Sequence, residues 1–122
     1  MNISITSRPE KEYLFIEAKG IITNKEELLQ RSQLMFAEAA KYNFEKILIY
    51  QPETHFPPEL FPYFDLVKDY EELPERLRQL KIAIVIADQY KELGDSWAAL
   101  CMSRGLQFNS FTSLDEAIFW LL

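Results

Sequence analysis

The segment Lys81–Ala87, Lys-Ile-Ala-Ile-Val-Ile-Ala, constrains this chain most. Six consecutive apolar residues, three of them β-branched isoleucines and one a valine, are too few for a membrane span and rich in strand formers. A strand that is apolar on both faces has to be covered on both faces, which is the condition of a central strand in a parallel sheet. Glu45–Tyr50 repeats the pattern, with Ile47-Leu48-Ile49 at its centre. Two such strands separated by helical sequence imply crossover connections and an α/β sheet in which both run the same way.

The rest of the chain fits around that pair. Asn2–Ser7 and Tyr13–Ala18 alternate in polarity as strands do, and Arg8-Pro9-Glu10-Lys11 between them supplies a turn, so an antiparallel hairpin is expected at one edge. Gly20 is read as the break that ends the second strand. Thr23 and Glu26 have capping-box spacing, and the helix from about Asn24 to Tyr42 carries Leu28, Leu29, Met35, Phe36, Ala39 and Ala40 as its apolar stripe. After Tyr50, Pro52, Pro57, Pro58 and Pro62 lie among His55, Phe56, Leu60 and Phe61. That pattern forbids regular pairing and leads into a helix, with Pro58 or Pro62 in its first turn. The helix runs to about Leu73, Pro74 breaks it, and Glu75–Gln79 forms one further turn. Asp95 or Ser96 is expected to cap the next helix, which stops at Gly105. Leu106–Phe111 reads as the last strand, and Ser113 with Glu116 starts the closing helix.

The expected fold is therefore α/β, with a mixed, mainly parallel sheet of four to five strands, about four helices and the order β-β-α-β-α-β-α-β-α. At 122 residues the chain is read as a single domain, 1–122. Hydrophobic residues make up 48% of it. That is enough material for a core that buries roughly two-thirds of the unfolded surface. Thirteen basic against nineteen acidic residues give a net charge of −6, which disfavours phosphate backbones and anionic membranes as partners. No apolar run approaches a transmembrane length, and Met1–Ser7 lacks the layout of a signal peptide, so the expected location is the cytoplasm. Cys101 is the single cysteine, which excludes an internal disulfide and a cysteine zinc site.

Three stretches resemble SpoIIAA-like proteins, relatives of the STAS domain. They are Tyr13–Ala18 with Lys19-Gly20-Ile21-Ile22-Thr23, the strand Lys81–Ala87 after an acidic helix, and the ending Phe111–Leu121 with its Asp115-Glu116-Ala117 and Trp120-Leu121. The resemblance implies helices mainly on one side of the sheet and a non-catalytic role in regulatory protein contacts or in small-ligand or lipid binding. In the sporulation anti-anti-sigma factors of the wider group, a serine after an Asp in the loop following the third strand is phosphorylated. This chain departs there. The corresponding stretch is Gln51-Pro52-Glu53-Thr54-His55-Phe56, no serine lies between Ser32 and Ser96, and Thr54 is the one aliphatic hydroxyl available. A phosphate beside Glu53 in an acidic domain is unfavourable without a basic neighbour.

Parallel sheets bind ligands beyond the carboxyl ends of their strands. Two segments emerge there, and they nominate Glu53, Thr54, His55, Phe56, Asp88, Tyr90, Asp95 and Trp97 as candidate ligand or partner contacts. His55 is the only histidine and reads either as a contact or proton carrier, or as an exposed loop residue with no task. Cys101, among Ala98, Ala99, Leu100 and Met102, reads as a buried structural thiol. The stretch His55–Phe64 is either an apolar lip for a lipid tail or partner, or a cover over one end of the core. No phosphate-cradling loop, dinucleotide fingerprint or nucleophile motif occurs. The expectation is a non-enzymatic binding or regulatory module with no cofactor, no metal and no nucleic acid, partnered by a protein or a small apolar ligand, with a homodimer possible. The alternatives are a small apolar-ligand or lipid carrier, and an acid–base enzyme pairing His55 with Glu53 or Asp88.

Overall fold

The computed structural model describes residues 3–57 and 61–122, with backbone alone at 61 and 62. Of the two prolines expected in the first turn of the second helix, Pro58 lies outside the described residues and Pro62 stands in that turn. Strands β1 (Ile3–Pro9), β2 (Leu14–Ile21), β3 (Lys46–Tyr50), β4 (Thr54–His55), β5 (Lys81–Val85) and β6 (Gln107–Phe111) form one sheet. Its order is β1-β2-β3-β5-β6, with β4 paired to the far end of β2. Helices α1 (Lys25–Ala40), α2 (Phe61–Glu71), α3 (Glu75–Arg78), α4 (Lys91–Ser103) and α5 (Leu114–Leu121) connect and close it.

β1 and β2 are antiparallel, and every other pairing described in the sheet is parallel. The two apolar segments lie side by side in register, Ile47 against Ile82, Leu48 against Ala83 and Ile49 against Ile84. From β2 onward each crossover steps to the next strand in the same direction. The right-handed rule then puts α1, α2 and α4 on one face. α5 follows the edge strand β6 and packs on the opposite face, over β3, β5 and β6.

Each face has its own core. Leu14, Ile16, Ile47, Ile49, Ile82 and Ile84 meet α1, α2 and α4, while Phe15, Leu48, Ala83 and Val85 meet Ala117 and Leu121 of α5. This two-sided cover is what the unbroken apolar strands require. Burying each isoleucine or leucine contributes roughly 1.5–3 kcal/mol. Four buried apolar residues in succession therefore make β5 the anchor of the fold. The edge strand β1 ends in Arg8-Pro9, a blunted end that discourages further pairing. The Arg8 guanidinium lies 4.2 Å from the Phe15 ring centroid, a cation–ring contact between paired residues of β1 and β2. Lys81 Nζ donates to Trp120 O at 2.8 Å and lies 4.6 Å from the Trp120 ring centroid, which ties the end of α5 to β5.

Several local expectations need correction. The sheet has six strands rather than four to five, because the two-residue β4 rejoins β2 after a turn in which Thr54 N–H donates to Gln51 O. Gly20 does not end β2. Its φ is 137°, and it lets the strand continue and pair with Thr54. The N-cap of α1 is Asn24, whose side chain accepts from Glu27 N–H at 2.9 Å, while Glu27 reaches back to Thr23. The capping box thus sits one residue later than the Thr23–Glu26 spacing suggested. α4 starts at Lys91 through a 3₁₀ turn at Asp88–Tyr90, which leaves Asp95 inside the helix and paired with Lys91 at 2.8 Å rather than capping it. Ser113 caps α5, accepting from Glu116 N–H.

Candidate functional site

A chamber lies on the helical face of the sheet, under the carboxyl ends of β3 and β5. Its sheet wall is Ile49 of β3 with Gln51 just after it, Ile84 of β5 with Ile86 just after it, and Phe108 of β6; α1 adds Leu28, Arg31 and Met35, and α2 adds Tyr63, Leu66 and Tyr70. Tyr90, Leu93, Gly94 and Trp97 close it from the α4 side. About 50 Å³ is open to the centre of a water-sized sphere. That is several times what one water needs. Of the lining, only Phe56, Tyr90 and Leu93 are partly exposed, so they form the mouth.

The mouth is held by specific contacts. Phe56 and Tyr90 meet edge to face with ring centroids 5.4 Å apart, and Phe56 N–H donates to Tyr90 Oη at 3.3 Å. The chain between β3 and Phe56 is pinned at both ends, by Gln51 N–H to Val85 O at 2.9 Å and by Ile22 N–H to His55 O at 2.9 Å. The inner wall is aromatic. Tyr70 stacks on Phe108 at 5.4 Å and meets Trp97 edge-on at 5.5 Å, and Tyr63 lies 6.1 Å from Trp97. Gly94 lets α4 approach β6, since a Cβ there would sit 2.2 Å from Ser110 Oγ and 2.4 Å from Ile86 Cδ1.

Within this apolar enclosure stand two unsatisfied polar groups. Arg31 is 4% exposed, and its Nε and Nη2 have no hydrogen-bond partner. Its guanidinium lies 5.2 Å from the Phe56 ring centroid. Among the described residues no carboxylate comes within 4.0 Å of it. Burial pulls its pKa down to about 10, with Tyr70 and Tyr63 opposing the shift, so it remains a cation at neutral pH. Gln51 is 3% exposed and its Oε1 accepts no hydrogen bond. Tyr70 is satisfied by Ser32 Oγ at 2.7 Å, and its burial pushes the phenol up to about 12.

The structure separates the residues nominated from sequence. Phe56, Tyr90 and Trp97 line the chamber. Glu53 is exposed beside Lys19, 3.3 Å away, and Asp88 and Asp95 are exposed. His55 is exposed, with Nδ1 3.5 Å from Tyr90 Oη, and among the described residues no carboxylate lies within 4.0 Å of its ring nitrogens. Thr54 is 1% exposed and its hydroxyl donates to Ala18 O at 2.9 Å, so it is committed to joining β4 and β2. Cys101 is fully buried, and desolvation pushes its thiol up. Among the described residues no group of three or more His, Cys, Asp or Glu side chains is placed to hold a metal ion. Phe64 of the proline-aromatic stretch is half exposed on the outer side of α2, and the side chain of Phe61 lies outside the described set.

Sequence reasoning missed Arg31, and a signal for it existed. Leu28, Met35 and Ala39 recur on one helical face, and Arg31 falls on it, three residues after Leu28 and four before Met35. A cation inside an apolar stripe is the pattern to look for.

Two larger depressions are shallower. One runs along α1 between Phe36 and Leu77, and the other lies at the opposite end of the sheet around Lys11 and Lys46. Among the described residues, neither includes a buried polar atom that lacks a partner. Among the described residues no helix is long and apolar enough to cross a membrane.

No protein-family model matches the sequence, and no curated protein matches it. Solved structures do. An anti-sigma factor antagonist from Mycobacterium paratuberculosis superposes with a TM-score of 0.61 at 15% identity, over 98% of this chain and 93% of that one. A DUF3478 family protein with a SpoIIAA-like fold from Shewanella loihica PV-4 superposes with a TM-score of 0.53 at 21% identity, over 99% and 94%. The chain has the SpoIIAA-like fold, as the likeness of Tyr13–Thr23, Lys81–Ala87 and Phe111–Leu121 implied.

Proposed function

We propose that this chain is a non-enzymatic binding module of regulatory type, and that the chamber behind Phe56 and Tyr90 takes a small apolar ligand. The observation that carries this reading is the chamber's lining: hydrocarbon and aromatic groups at the open end of a parallel sheet, where ligands gather in α/β folds. The groups that would make an acid–base pair, His55 with Glu53 or Asp88, sit outside it. A cavity that binds benzene measures about 150 Å³, so at about 50 Å³ the chamber admits a ring or an acyl chain only when Phe56 and Tyr90 swing away, and the reading favours a short body over a lipid tail.

Benzyl alcohol followed by NMR tests it. Saturable shifts at the Trp97 indole and the Met35 methyl are expected, and Leu93→Trp at the mouth should abolish them. Shifts that grow linearly with concentration and scatter over the surface would count against the chamber.

A protein contact is the companion reading. Its motive is the likeness in fold to an anti-sigma factor antagonist, together with Phe119, 89% exposed on α5 beside the half-exposed Leu122. Phe119→Glu should leave stability unchanged within about 0.5 kcal/mol. Sedimentation of the wild type against this variant reads out self-association, and identical profiles would remove the homodimer from consideration.

A further inference from the structure

We propose that Arg31 is the anion-recognition residue of the chamber, and that the ligand is a small carboxylate with an apolar body. This rests on the reading of the chamber as a binding site and names the chemistry of its occupant.

A guanidinium out of water ordinarily has a carboxylate or carbonyl partner, because an unpaired buried charge is among the costliest features a fold can carry. Arg31 has neither for Nε and Nη2, although it is 4% exposed. Those two atoms lie on one edge of the planar guanidinium, the edge that takes a carboxylate through two parallel N–H···O bonds. Among the described residues the rest of the lining is mainly hydrocarbon and aromatic, Gln51 being the other buried polar side chain that lacks a partner, and it includes no carboxylate. A ligand carboxylate would supply the missing charge and both missing acceptors together.

The surroundings select within the class of anions. Among the described residues Arg31 is the only cationic side chain in the lining. A monoanion is neutralised there, while a phosphate dianion would bring a second charge into an apolar enclosure. The aromatic rings of Phe56, Tyr63, Tyr70 and Trp97 suit a flat or branched hydrocarbon body. Gln51 Oε1 is the third unsatisfied atom and would accept from a hydroxyl or amine on the ligand, or from a water.

Benzoate, benzyl alcohol and inorganic phosphate, each titrated into the intact protein and into Arg31→Met, form the test. The readouts are the Trp97 indole signal and the Arg31 Nε–H resonance, the second of which needs no variant. Benzoate should bind the wild type at least about tenfold more tightly than benzyl alcohol, the range of one charge-assisted hydrogen bond, and should move the Arg31 Nε–H signal downfield. Arg31→Met should lose the preference for benzoate and keep benzyl alcohol. Equal binding of benzoate and benzyl alcohol overturns the role of Arg31 while leaving the apolar chamber standing. A benzoate preference that survives in Arg31→Met, or an unmoved Nε–H signal at saturation, overturns it as well. Phosphate binding more tightly than benzoate overturns the carboxylate class. Binding of neither aromatic probe overturns both this inference and the function proposed above.

Discussion

Replacing Arg31 by methionine should make the ligand-free protein more stable. The folded environment lowers the guanidinium pKa to about 10, through burial that its tyrosine neighbours only partly offset. A displacement of that size corresponds to roughly 3 kcal/mol against the charged form. The sign follows from linkage. From about 10 up to the ordinary guanidinium pKa the unfolded chain binds the extra proton, so stability rises with pH in that window, and below it the full penalty applies, neutral pH included. The contact with Phe56 returns part of it. For a desolvated cation over a ring that part is about 1–2 kcal/mol. Methionine keeps an unbranched apolar stem of similar length and adds no polar atom. The net expectation is a gain of about 1–2 kcal/mol, or roughly 3–10 °C in Tm for a chain of this size. Urea unfolding followed by tryptophan fluorescence, with calorimetry beside it, measures this. A loss of about 1 kcal/mol or more would refute the reasoning, since it would mean that the guanidinium contributes a favourable contact in the folded protein.

Other substitutions test the surrounding structure. Gly94→Ala should destabilise by about 1–3 kcal/mol. The new methyl overlaps Ser110 Oγ and Ile86 Cδ1, and a neutral result in urea unfolding would mean that α4 is free to lift off β6. Tyr70→Phe and Ser32→Ala should each cost about 1 kcal/mol or somewhat more, and the double variant less than their sum. A cycle with no coupling would deny the buried bond between them. Thr54→Val should cost about 1 kcal/mol by leaving a buried carbonyl without its donor. That carbonyl is Ala18 O, and hydrogen exchange should quicken at His55 and Ile22, where β4 joins β2; unchanged exchange would argue against the junction. Cys101 should resist a thiol reagent in the native protein and react on unfolding, whereas fast native labelling would contradict its burial and raised pKa.

The architecture was legible wherever one physical demand dominated. Ile47–Ile49 and Ile82–Ile86 could be satisfied only by cover on both faces, and the structure gives them α1, α2 and α4 on one side and α5 on the other. Ser113 and Glu116 capped a helix whose apolar face left no competing register. The failures came where two devices compete. Gly20 can break a strand or carry it through an unusual φ, and only the pairing with Thr54 decides between them. Thr23 and Asn24 can each cap α1, and Asp95 resembles a cap until the 3₁₀ turn at Asp88 starts the helix a turn earlier. The candidate site was legible by address and not by content. The rim after Tyr50 and Ala87 was indicated by strand direction, and Phe56, Tyr90 and Trp97 came from it. The charged and hydroxyl residues nominated there face solvent or serve the backbone. Arg31 belongs to α1, away from the rim that strand direction indicates; its position in the Leu28–Met35–Ala39 stripe marks it as buried, while its contact with Phe56 is not local in sequence.

The most direct measurement is a crystal structure of the protein grown with benzoate. It should place the carboxylate oxygens about 2.7–2.9 Å from Arg31 Nε and Nη2, with the ring among Phe56, Tyr63 and Trp97. An Arg31 turned out to solvent or bonded to a protein carboxylate, with the protein's own side chains filling the space beneath Tyr90, would contradict the site and the function drawn from it.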